Sequence, residues 1–267
     1  MIGFADLTSA FRDLDLPPTA PLAAHASLSA FGPVEGGAQT VVEALLDVFP
    51  TLVMPAFTYK TMLVPEEGPP DNGLAYGTYA DANRQAQFFR PNMPVDRLIG
   101  AVPEALRLHP GARRSSHPIL SFTGIQAGLY LDSQTIAEPL APFRLLVEAE
   151  AWVLLLGVDH SANTAIHYAE RLAGRRQFIR WALTPRGVVE CPGFPGCSDG
   201  FNAIAPRLAY VVRKEQAGQA LIQAIPMVDL VGIARAWLEV EPMALLCDRS
   251  YCERCQAVRL GMAKAAQ

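Results

Sequence analysis

"AWVLLLGVDHSANTAIHYAE", residues 151–170, decides the fold. Its first part is a short, unbroken apolar run that ends at Gly157. That pattern predicts a strand buried on both faces. "TAIHYAERLAG" then switches to helical spacing, so the stretch reads as strand, Gly-containing turn and helix. In α/β proteins, ligands and catalytic groups gather just beyond the carboxyl ends of strands. Two of the five histidines, His160 and His167, fall there, beside Asp159 and Glu170.

Working outward, the same alternation recurs. "FADLTSAFRDLDL" has helical spacing and is stopped by "PPTAP". "LAAHASLSAFG" predicts a short strand running into a small-residue loop. "GGAQTVVEALLDVFP" predicts an amphipathic helix, and "TLVMPAFTY" a buried strand cut at Pro55. "VDRLIGAVPEALRLHPG" reads as helix and "ARRSSHPILSFTGIQA" as loop and strand. Between residues 176 and 213, "RRQFIRWALTPRGVVEC" and "LAYVVRKEQ" look like antiparallel strands. "MVDLVGIARAWLEVEPMALLC" predicts a C-terminal helix. The expected fold is α/β: a single domain over residues 1–267, with a central mixed β-sheet flanked by helices and antiparallel additions toward the C-terminus. Residues 60–94 lack periodicity, which in a compact domain marks a functional or mobile loop.

The totals exclude several classes. Net charge is −4 and the pI near 5.7, so there is no electrostatic footprint for nucleic acid. No run approaches the ~20 apolar residues of a membrane span, and the N-terminal segment is acidic where an export signal is basic. A cytoplasmic protein with small-molecule partners is expected. Five cysteines, an odd number without an export signal, argue against a disulfide framework.

His167 and Glu170 share a helix face at i, i+3. Glu170 could hold one ring nitrogen and leave the other free as a proton acceptor. The plainer alternative is a partly buried histidine satisfied by a surface carboxylate. His160, in the turn, is expected to be incidental. In "HASLSAFG", Ser27 and Ser29 flank Leu28, with His25 at the strand end and a helix start nearby. Such a junction can hold an anionic or amide-rich ligand. In "RRSSHPILSF", Arg113 and Arg114 could neutralise phosphate; a solvated basic loop is the alternative.

Taken together, these segments resemble the aminoglycoside 3-N-acetyltransferase family. The resemblance rests on "HASLSAFGPVEGGAQTVVEALL", "LVMPAFTY", "RSSHPILSF" from Arg114 to Phe122, and "TAIHYAE" from Thr164 to Glu170. It spans roughly residues 5 to 240. "EPLAPFRLL" departs from the family pattern, which often has Ser before that Pro, and residues 60–94 match nothing in it. The resemblance implies acetyl transfer from acetyl-coenzyme A to the 3-amino group of an aminoglycoside, as in antibiotic resistance. It makes His167 the general base, Glu170 its orienting partner, and His25 a second catalytic histidine that positions thioester or acceptor. Coenzyme A is expected along Ser27, Leu28, Ser29, Arg114, Ser115, His117, Ser121, Phe122 and Thr164, with Arg114 near its phosphates. Glu66, Glu67 and Asp71 could line an acceptor cleft, or form a solvated acidic turn. The alternatives are acylation of another small amine and a coenzyme A-binding homologue without activity. A hydrolase would need a nucleophile elbow such as G-x-S-x-G, and the chain has none.

The cysteines sit in the C-terminal third, in "CPGFPGC" and "CDRSYCERC", the latter within a tail of residues 247–267. Cys247, Cys252 and Cys255 with Cys197 could build a tetrahedral structural zinc site. Free thiols in a reducing compartment are the alternative. No residue is expected to bind a catalytic metal.

Overall fold

Trp152–Leu156 is an interior strand, paired in parallel with Leu22–Ala26 on one side and antiparallel with Ala220–Pro226 on the other. Every residue in it is buried, because helices cover both faces of the sheet. The structure, a computed structural model, describes residues 1–265. The chain runs through α1 (Phe4–Asp13), β1 (Leu22–Ala26), α2 (Gly37–Val48), β2 (Leu52–Pro55) and the two-residue β3 (Met62–Leu63). A short α3 (Ala80–Arg84), α4 (Ala101–Leu108), β4 (Arg113–Arg114), β5 (Phe122–Ile125), α5 (Gly128–Asp132) and α6 (Ala141–Glu148) follow. Then come β6 (Trp152–Leu156), α7 (Thr164–Leu172), β7 (Phe178–Thr184), β8 (Gly187–Phe194), β9 (Arg213–Ala217), β10 (Ala220–Pro226), α8 (Met227–Val240) and α9 (Glu253–Ala265).

The seven-stranded sheet has the order β4-β5-β2-β1-β6-β10-β9. Its centre, β2-β1-β6, is parallel, and both flanks are antiparallel. The period of two divides each strand between two cores. Leu22, Ala24, Trp152, Leu154 and Leu156 pack with α1, α2 and α4. Ala23, Val153 and Leu155 pack beneath α5 to α8. Truncating one of these enclosed leucines to Ala costs about 2–5 kcal/mol. β1 connects to β2 on one side while β6 lies on its other side. The crevice beyond the carboxyl ends of β1 and β6 is therefore the topological switch point, where ligands bind in open α/β sheets.

The mixed α/β reading agrees with this architecture, and several boundaries move. Antiparallel strands flank the parallel centre on both edges, through β4 and β5 as well as through the C-terminal strands. β7 and β8 do not join the main sheet; they form a three-stranded sheet with β3 out of the loop at 60–94. The helix expected from residue 95 begins only at Ala101, after Gly100 turns (φ 106) against the carbonyl of Ala26. In "LAYVVRKEQ" only the part from Arg213 is strand. The C-terminal helix ends at Val240, just before Pro242. Among the described residues, no helix is long and apolar enough to cross a membrane.

Candidate active site

The loops leaving β1 and β6 open into a cleft of about 1370 Å³. The period of two puts His25 on the face covered by α7 and α8, since it alternates with Ala24 and Ala26. Asn163 starts α7 by accepting from the N–H of Ala165 at 3.2 Å, the usual cap of a helix N-terminus. One turn on, His167 faces the cleft.

His167 Nδ1 lies 2.6 Å from Glu170 Oε2. The other oxygen, Oε1, accepts from Arg175 Nη1 at 2.6 Å, and Arg175 Nη2 donates to the carbonyls of Pro242 and Ala244. The carboxylate is 1% exposed and the guanidinium 3%. Both ends of the relay are thus fixed before a ligand arrives. The Phe201 ring packs against the imidazole at a steep angle, 4.7 Å between ring centres, which limits its rotation. With Nδ1 bound to a carboxylate, Nε2 is the nitrogen left for chemistry.

His25 Nε2 accepts from the N–H of Thr164 at 3.4 Å and so links the end of β1 to the start of α7. Burial, with His167 nearby, lowers His25 from 6.5 to about 4. Burial does the same to His117, whose Nδ1 accepts from the N–H groups of Ile119 and Leu120. A drop from 6.5 to about 4 corresponds to on the order of 3 kcal/mol per histidine. The unfolded chain takes up these protons first, so the stability is complete above about pH 7 and is lost as pH falls toward 4. The Tm measured across this range should fall steeply. His117→Asn, whose Oδ1 can accept the same two bonds, should make that fall shallower; an unchanged slope contradicts the assignment.

His160 is buried and does not line the cleft. Its N–H donates to Asn202 Oδ1 at 2.9 Å, and its Nδ1 lies 3.3 Å from Asn163 Nδ2. Asp159 accepts from Ser161 and Asn202. Burial raises the Asp159 carboxyl, but those hydrogen bonds outweigh it and hold it below its ordinary value. The two histidines of the opening stretch therefore have separate tasks, one shaping the turn and one facing the cleft.

Of the residues expected to bind coenzyme A, Ser27, Leu28, Ser29 and Thr164 line the cleft. Among the described residues no acceptor faces the N–H of Leu28 or Ser29. Arg114, Ser115, His117, Ser121 and Phe122 are not brought to it. Arg114 donates to Ser121 Oγ and to the carbonyls of Ala56, Pro91 and Met93, and burial lowers it to about 10. Ser115 bonds Gln134, Ser121 bonds the Ala56 carbonyl, and Phe122 packs edge-on to Phe57 and Phe143. The segment braces the strand end behind the cleft, and only Leu120 of it reaches the lining. Arg114→Ala should cost on the order of 3 kcal/mol by leaving carbonyls unpaired. Calorimetry should find coenzyme A affinity almost unchanged; a large, nucleotide-dependent loss would instead put Arg114 at the phosphates.

Glu66 and Glu67 are exposed, and neither they nor Asp71 lines the cleft. The acidic residues that do are Asp199, after β8, and Glu253, at the start of α9. They had no local motif to reveal them. Arg97 and Gly37, which also line the cleft, were missed as site residues. Gly36 and Gly37 have φ of 71° and 65°, a left-handed pair that turns the chain into α2, and at Gly36 a Cβ would also collide with Thr40 Oγ1.

Residues 24–239 match the family model for aminoglycoside 3-N-acetyltransferase. The chain belongs to that family. Aminoglycoside N(3)-acetyltransferase III of Salmonella sp is 28% identical over 265 residues, covering 87% of this chain and 90% of the relative. The apoenzyme structure of aminoglycoside acetyltransferase AAC(3)-IVa aligns with a TM-score of 0.78 at 26% identity, over 97% of both chains. A histidine-to-alanine variant of AAC(3)-IVa, solved in complex with a gentamicin, aligns at 0.77 with the same identity over 96% of both. The chain is thus an acetyltransferase of mixed α/β fold, like the family members it resembles.

Proposed function

We propose that the chain transfers the acetyl group of acetyl-coenzyme A to the 3-amino group of an aminoglycoside, with His167 as general base. The observation that carries this reading is the buried relay from Arg175 through Glu170 to His167, which ends at the cleft. The amine nitrogen attacks the thioester carbonyl while Nε2 of His167 takes its proton. The new C–N bond forms, the tetrahedral intermediate collapses, the C–S bond breaks, and coenzyme A leaves as thiolate. Such a base contributes ~10²–10⁴-fold. The free N–H groups of Leu28 and Ser29 suit the oxyanion. No acetyl-enzyme is required.

The cleft carries groups suited to both substrates. The Ser27–Ser29 loop, Gly37 at the start of α2 and the exposed Arg97 all line it, and these suit the phosphates of the donor. Around Phe194–Asp199 the lining is mixed in charge: Asp199, paired with Arg249, and Glu253 are the carboxylates that suit an ammonium of the acceptor, and Arg254 stands beside them. His25 orders the cleft by holding α7 to β1. Acetyl-coenzyme A is an intracellular metabolite, so this reading keeps the protein in the cytoplasm. The test is thiol release from acetyl-coenzyme A against a panel of aminoglycosides and simpler amines. Release that requires an aminoglycoside, with one acetyl on its 3-amino group, is expected. Release with simple amines alone would assign another acceptor.

A further inference from the structure

Cys197, Cys247, Cys252 and Cys255 come from three separate pieces of chain: the turn after β8, the segment after α8, and the start of α9. Their Sγ atoms all lie within 4.8 Å of one another. Cys247 and Cys255 approach to 3.5 Å. A tetrahedron of sulfurs around zinc, with Zn–S of about 2.3 Å, has edges of about 3.8 Å. These thiols form a small cluster of their own, and among the described residues Leu246 is the aliphatic side chain that packs on it and links it to the main core. Cys191, by contrast, is an ordinary buried thiol inside a main core.

We propose that the four cysteines form a structural zinc site that ties α9 to the turn after β8. Four soft thiolates in tetrahedral reach select zinc over calcium or magnesium. On binding, four S–Zn bonds replace four S–H bonds and up to four protons pass to solvent, leaving a site of charge −2. Cys197 Sγ donates to Asp199 Oδ2 at 3.3 Å, a bond that is lost with the thiol proton, and Arg249 offsets the carboxylate left beside the sulfur. The N–H of Asp199 points at Cys197 Sγ, 3.5 Å away. Arg249 pairs with Asp199 at 2.8 Å, Arg254 donates to the Gly196 carbonyl, and Arg259 to the Cys247 carbonyl. Such hydrogen-bonded surroundings are what hold metal ligands in place.

The metal would also complete the cleft wall. Asp199 lies two residues beyond Cys197, and Glu253 and Arg254 lie between Cys252 and Cys255. All three line the cleft, so fastening the four sulfurs fixes that part of its wall. That consequence rests on the acceptor reading above; the metal itself does not.

Protein purified without chelator should contain one zinc per chain by elemental analysis. Cys252→Ser and Cys255→Ser should lose it, and Cys191→Ser should keep it. Because a cysteine variant could fail to fold, the intact protein gives a second reading. Replacing its metal with cobalt should produce thiolate-to-cobalt charge transfer and the strong visible bands of tetrahedral coordination. Metal-free protein that has native hydrogen-exchange protection in α9 and ignores added zinc would overturn the site. So would iron in place of zinc, or full zinc retention in Cys252→Ser. Zinc removal should raise KM for the acceptor with little change for acetyl-coenzyme A. Stoichiometric zinc in a protein that acetylates nothing would sink the acceptor reading and leave the metal site standing.

Discussion

His167→Ala should lower kcat by ~10²–10⁴-fold while leaving coenzyme A affinity nearly unchanged. The substitution removes the only Nε2 that the relay presents to the cleft, and this group acts on the proton of the attacking amine. An interaction made in the transition state and not in the bound state reduces kcat and kcat/KM together, without raising KM. His160→Ala supplies the internal comparison. That ring organises the turn through Asn163 and does not line the cleft. It should cost some stability and little turnover. Steady-state kinetics with calorimetry for the donor separates the two effects. Normal turnover in His167→Ala, or its collapse in His160→Ala alone, would move the base elsewhere, with His25 as the next candidate.

Arg175→Ala should be the most destabilising single change near the site. Glu170 is buried and divides its two oxygens between His167 and Arg175. Without the guanidinium, a buried carboxylate loses its cationic partner, and the carbonyls of Pro242 and Ala244 lose their donors. Breaking a buried pair by removing one partner costs about 3–5 kcal/mol. Total stabilities are only about 5–15 kcal/mol, so the loss is a large share. A Tm lower by roughly 10 °C is expected, with reduced kcat in whatever remains folded. Glu170→Gln should retain more stability, since an amide is neutral, yet it still weakens the hold on the imidazole. An Arg175→Ala protein as stable as its parent would mean that the ion pair contributes no net stability.

The parallel centre of the sheet was legible because strands buried on both faces are written as apolar runs. "WVLLLGV" and "LVMPAF" have no polar alternation to confuse with anything else. α7 was legible because Asn163 and the spacing of "TAIHYAERL" mark its start and its face. β10 was not: "ALIQAIP" runs straight into the helix "MVDLVGIARAWL", so no polar punctuation separates strand from helix. α6 was hidden because Pro142 reads as a breaker, although Pro is tolerated in a helix's first turn, where it sits. α9 was hidden behind its cysteines, which drew the tail into a question about metal.

The site divided along the same lines. His167, Glu170, His25 and Ser27–Ser29 lie within short stretches whose local geometry already points at a strand end. "RSSHPILSF" is equally recognisable, yet its polar groups are spent on bracing carbonyls, which a spacing pattern cannot distinguish from ligand binding. The acidic residues of 66–71 looked suited to a cationic acceptor because they are charged and unplaced. Asp199 and Glu253 reach the cleft only through convergence of distant segments, and the one sequence signal for it was the cysteine beside each.

The most direct test is acceptor-dependent thiol release by His167→Ala, with and without added imidazole. A loss of nearly all release, partly restored by imidazole and unaffected by it in the intact enzyme, is the predicted result. Release at the intact enzyme's rate without imidazole would contradict the central claim that this ring takes the amine proton.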